Sequence, residues 1–179
     1  MSSPAVSLED RDRSISVEAI VLTVLPLLAV GLLFAGTVSD LVALWATTQD
    51  YGHGYLIAPI CAFLIWRRLP EVTRESGSSQ WWPLLFCLAG GAAWLLATIV
   101  GLEVGMQFAV LGIGLVTTWA TLGWARFRWV AFPIAYLVFA VPIWDVVIPP
   151  LQELTATVAT QGVRWLGTVS YTHLRAHET

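Results

Sequence analysis

The sequence predicts an all-α, polytopic integral membrane protein: a helical bundle of five transmembrane helices plus a C-terminal amphipathic helix. Three observations carry that expectation. Hydrophobic residues make up 57% of the 179-residue chain and charged residues only 12%, about half the charged share usual in soluble domains. Ten Trp and seven Phe, with many Leu and Val, are more apolar surface than a domain this small can hide from water. The remaining charges are grouped: all nine basic residues are Arg, most of them set between apolar runs. No basic patch points to nucleic acid, so the lipid bilayer is the first partner implied.

The elements follow in order. Residues 1–18 are polar and read as a short cytoplasmic tail. Residues 19–38 are apolar over about the 20 residues that cross hydrocarbon, and Pro26 is tolerable in a membrane helix. The run exceeds the h-region of a signal peptide, so it reads as a retained span. Residues 39–54 hold Asp40, Asp50 and His53 and no Arg, the composition of an outer loop. Residues 54–66 are short for a span, and charge decides the matter. Arg67, Arg68 and Arg74 follow at once, so a crossing here gathers them on the same side as Arg11, Arg13, Arg126 and Arg128.

Trp81-Trp82-Pro83 opens a third span over 81–102 with interfacial aromatics, and Gly90-Gly91 in its middle permits close helix approach. Glu103 marks a tight outer turn before a fourth span over 105–124, and a fifth over 127–148 carries Pro133 and Pro142. Pro149-Pro150 ends it and opens an amphipathic helix over 150–167, where Leu151, Leu154, Val158 and Trp165 share one stripe. That helix lies on the outer face or leads into a sixth span. Residues 169–179 complete no pattern begun upstream and read as a non-native tail, leaving 1–168 as the membrane domain.

Candidate chemistry is sparse. His53, an imidazole between two glycines at a membrane surface, can serve as a base, a metal ligand or a substrate contact, or it can brace its own loop against backbone or Asp50. Cys61 lies eight positions further on, roughly 12 Å along a helix, and so beyond hydrogen-bond reach of His53. It reads as packing, as does Cys87. Asp145, near the end of the fifth span, is either functional or an interfacial partner of Glu153 and Arg164. His173, His177 and Glu178 fall in the tail and are assigned nothing. No metal, cofactor or catalytic residue is identified.

Tyr51-x-His53-Gly54, an apolar helix and then Trp66-Arg67-Arg68 resemble the N-terminal signature of exosortases. Phe132-Pro133 and Pro142-x-x-Asp145 continue the resemblance, which runs from about residue 20 to 167. It marks Tyr51, His53, Gly54 and Asp145 as substrate-binding or structural motif residues. It implies a multi-pass inner-membrane cysteine peptidase and transpeptidase with a cytoplasmic N-terminus. The substrates implied are exported proteins with a C-terminal sorting signal: a Pro-Glu-Pro motif, an apolar helix and a basic tail. The catalytic Cys, Arg and His of such enzymes lie downstream, in motifs this chain lacks, so the expectation is an inactive N-terminal portion. The alternative is a non-enzymatic membrane component of an exopolysaccharide export or transport assembly.

Overall fold

The computed structural model describes residues 16–165, the side chains of 144–147 excepted; the tail at 169–179 lies outside the described residues. Every regular element among them is helical. One unit ends at Pro142 and a second begins at Ile143.

The first helix, α1, is Val17–Leu33, capped by Ser16, whose hydroxyl accepts from the Ala19 N–H. The span expected over 19–38 is interrupted at Phe34, whose φ of −106° and ψ of 34° leave the helix. The chain then turns by 88° into α2, Ala35–Thr47, where an outer loop was expected. Trp94 holds the bend from both sides: its ring meets Phe34 edge-on at 5.1 Å, and its Nε1 donates to Thr37 Oγ1 at 3.0 Å. Val38, Leu41, Val42 and Trp45 recur at helical spacing along α2.

A 3-10 turn, Gln49–Tyr51, leads into α3, Gly54–Arg74. This helix runs well past Trp66-Arg67-Arg68 through Pro70, and its 21 residues span roughly 30 Å. Next come α4, Leu84–Val100, and, after the two-residue turn at Gly101 and Leu102, α5, Glu103–Ala135. A Cβ on Gly90 would sit 2.7 Å from Ile113 Cγ1, so α5 does pack closely over the middle of α4.

Among the described residues, one stretch, Glu103–Ala140, is long and apolar enough to cross a membrane unaided. Val17–Leu33 and Ala35–Thr47 qualify only as a bent pair, and Leu84–Val100 is a shorter apolar helix. The long stretch is not straight. Gly123 has φ 72° and ψ 160°, values open to glycine and strained for other residues, and a Cβ there would overlap the Ser78 carbonyl oxygen.

At that point the chain doubles back. In a continuous helix Gln107 and Val141 would stand about 50 Å apart, yet both line one cavity of about 230 Å³. Leu115 and Ala135 line another, and the Trp119 and Phe127 rings stack at 6.0 Å. α5 is therefore a helical hairpin with its apex at Gly123. Leu122, Val130 and Ile134, all fully buried, form the core of the unit with Val72 of α3 and Ala19 of α1.

The returning limb does not continue to residue 148 as the sequence suggested. It passes into a 3-10 turn, Tyr136–Ala140, and leaves helical geometry at Val141, whose ψ of 138° is the extended conformation imposed on a residue before proline, here Pro142. In the second unit α6, Trp144–Trp165, begins before residue 150 and runs through Pro149 and Pro150 in its second turn. Two backbone N–H donors are absent from its ladder there.

Several threonine hydroxyls inside the first unit are paired with helix carbonyls. Thr23 and Thr118, both fully buried, donate to the carbonyls of Ala19 and Gly114 at 2.7 and 2.8 Å, and Thr121 Oγ1 reaches across to Leu22 O at 3.0 Å. The outward faces are apolar. Leu32, Leu33, Leu88, Ile99 and Val100 are each more than 70% exposed, as suits helices whose surroundings are hydrocarbon.

Candidate functional site

Two ends of the first unit gather the polar chemistry. At one, the Tyr51-x-His53-Gly54 turn closes against the end of the α5 hairpin. Tyr51 is buried, and Gly54 lies directly beneath the Trp45 indole, where a Cβ would overlap the ring. Trp45 Nε1 donates to Ala140 O at 2.9 Å, and its ring meets Tyr55 edge-on at 5.6 Å. Glycine is thus required at 54 because α2 crosses over the start of α3 at that atom.

His53 is exposed, with Nδ1 3.0 Å from Asp50 O and Nε2 3.2 Å from Phe139 O. A neutral ring has one N–H and can donate to one of these carbonyls; an imidazolium donates to both. Both nitrogens face backbone oxygens, so His53 links the turn after α2 to the 3-10 turn that follows α5. Both contacts are of the kind a loop-bracing side chain makes.

The opposite end is basic. Arg126 Nε donates to Glu75 O at 2.9 Å and its Nη1 to Glu18 Oε1 at 2.9 Å. Arg128 Nη2 lies 2.6 Å from Glu75 Oε1, and the guanidinium groups of Arg128 and Arg68 both approach the Trp129 ring, at 5.3 and 5.9 Å. The Arg128 hydrogen bond, then that of Trp129, hold the Glu75 carboxyl below its ordinary range. Gln80 N and Ser79 Oγ both donate to Ala120 O, at 2.8 and 3.0 Å, and clamp the loop after α3 to the hairpin near its apex. The start of α1, the end of α3 and the α5 apex meet here, with His53 at the other end.

Cys61 is 2% exposed and packs in a cluster with Ile57 and Ala140. No described group of three His, Cys, Asp or Glu side chains gathers as a metal site. Asp145 belongs to the second unit and its side chain lies outside those described, as do His173, His177 and Glu178.

Two residues escaped the sequence reading. Trp45 could have been found from the Val38, Leu41, Val42 and Trp45 spacing, which Asp40 and Asp50 masked as loop. Gln107 could not. It is 5% exposed inside α5, and its Oε1 has no hydrogen-bond partner. A polar side chain one turn from a helix start carries no mark of burial in sequence.

Compared with known families, residues 45–175 match the transmembrane exosortase family. No curated protein and no solved structure matches the chain.

Proposed function

Because the chain belongs to the transmembrane exosortase family, a family of cysteine transpeptidases, we propose that it is the substrate-holding part of a multi-pass inner-membrane sorting enzyme. Its N-terminus faces the cytoplasm. The observation that carries this reading is the division of the first unit into a basic end built on Arg126 and Arg128 and an end built on His53 where no Arg is found among that unit's described residues. Arginine is retained on the cytoplasmic side of a membrane.

The five crossings are then α1, α3, α4 and the two limbs of α5, with α2 lying across the outer end. The apolar part of α3, which stops at Trp66, and the 17-residue α4 are short enough to need help at their ends. Arg67 and Arg68 extend their charges to the interface, and Trp81 and Trp82, both exposed, anchor the start of α4.

The substrate is the apolar helix of a C-terminal sorting signal on an exported protein, received against the exposed leucine faces. Among the described residues no thiolate site is built, since Cys61 is sealed in a packed cluster and Cys87 sits among the apolar residues of α4. These helices therefore bind and do not cut. A reporter bearing a Pro-Glu-Pro motif, an apolar helix and a basic tail, co-expressed with this chain, should crosslink to it within the membrane and remain uncleaved. Cleavage by this chain would overturn the division of labour, and failure to crosslink would overturn the holding role.

A further inference from the structure

Beneath α2 lies a cavity of about 230 Å³ that family membership does not explain. Leu27 and Gly31 of α1, Leu41 and Trp45 of α2, and Gln107 and Gly114 of α5 contribute to its wall, and no ionisable residue lines it. Gln107 is the one side-chain amide there. It is 95% buried by the complement of its 5% exposure, and its Oε1 has no partner. A buried amide left unpaired bears its full desolvation penalty. Trp45 cannot relieve it, because its N–H already serves Ala140 O.

Water is a poor occupant, since a buried water needs two to four polar partners and these walls are otherwise apolar. Hydrocarbon is a good one. Scaled from the roughly 150 Å³ cavity that binds benzene, the volume accepts about nine carbon atoms. From Gln107 to Gly114 is roughly 10 Å along the helix, so the space extends from near the start of α5 toward the middle of the bundle.

We propose that this cavity binds a neutral single-chain amphiphile from the bilayer, its hydroxyl or un-ionised carboxyl paired with the Gln107 carboxamide and its tail lying along α5 toward Leu27 and Gly114. A carboxamide both donates and accepts, which suits either head group. The uncharged wall excludes an ionised one. The site is independent of any peptidase activity, and so is its test.

The full chain in lipid nanodiscs is irradiated with a medium-chain primary alcohol carrying a terminal diazirine, and labelled peptides are mapped. Labelling around residues 27–31 and 111–114 should saturate and be displaced by the unmodified alcohol. Gln107→Leu should weaken apparent affinity about tenfold, the loss of one buried hydrogen bond. Gly31→Leu should abolish the saturable labelling, because a Cβ there meets nothing within 4 Å and the larger side chain can enter the space without disturbing the fold. Unchanged melting of both variants confirms that they fold. The corresponding carboxylic acid probe should label at acidic and not at alkaline pH. Labelling that does not saturate, that survives Gly31→Leu, or that is equally strong for an ionised probe would overturn the proposal.

Discussion

Gly54 is the position where a single methyl group should be felt most sharply, since its Cβ would enter the Trp45 indole while that indole is held by Ala140. Gly54→Ala should cost about 1–3 kcal/mol by overpacking, read as a lower unfolding temperature in detergent. Gly91→Ala, where a Cβ meets nothing within 4 Å, should leave it unchanged. His53→Ala removes the link between Asp50 O and Phe139 O and should cost roughly 0.5–1.5 kcal/mol per hydrogen bond lost. At the other end, Glu75 contributes through its charged form. Its folded value is lowered by Arg128 and Trp129, so that contribution is complete above the ordinary carboxylate value of about 4.3. It is lost as pH falls through the lower folded value. Glu75→Gln should flatten the acid limb of a stability profile, and an unchanged limb would show that Glu75 does not set it. Of these residues the sequence marked His53 and Gly54 through their motif, whereas the Trp45 ring that explains Gly54 lies nine positions upstream in a helix read as loop.

At the scale of elements, the hairpin within α5 depends on one residue whose φ of 72° no β-carbon tolerates easily and whose Cα abuts Ser78. Gly123→Ala should cost about 1–3 kcal/mol in backbone strain, with steric overlap added. Unfolding in detergent would register it, and a neutral result would mean that the apex bends elsewhere. Reversal between the fourth and fifth apolar runs was legible from Arg126 and Arg128, because charge marks where a chain leaves hydrocarbon. The glycine that performs it was not, since a lone Gly beside Trp has no periodicity to interrupt. Pro142 was visible, but it was placed inside a span over 127–148 rather than at the end of helical geometry one residue earlier. The 88° bend at Phe34 was illegible, because apolar residues continue through it and only the Trp94 contacts, 60 positions downstream, reveal the turn.

For the whole molecule, the arrangement of ends makes a topological statement. Alkaline phosphatase joined near residue 48 should be active, and joined near residue 75 inactive; the reverse pattern would invert the proposed orientation. All-helical architecture and membrane character were readable from composition, because lipid rewards apolar surface everywhere. Pairing of distant segments was not, because it depends on single contacts. Those contacts also set an order of assembly. α4 and both limbs of α5 are neighbours in sequence, joined by a two-residue turn and a one-residue apex, so they can dock as soon as they are synthesised. Trp45 to Ala140 and His53 to Phe139 close loops of 95 and 86 residues, and such long closures form late. With Thr121 to Leu22 and Arg126 to Glu18, which close still longer loops of 99 and 108 residues, the histidine turn belongs to the late-closing set during biogenesis, and limited proteolysis should find it open before the α4–α5 hairpin.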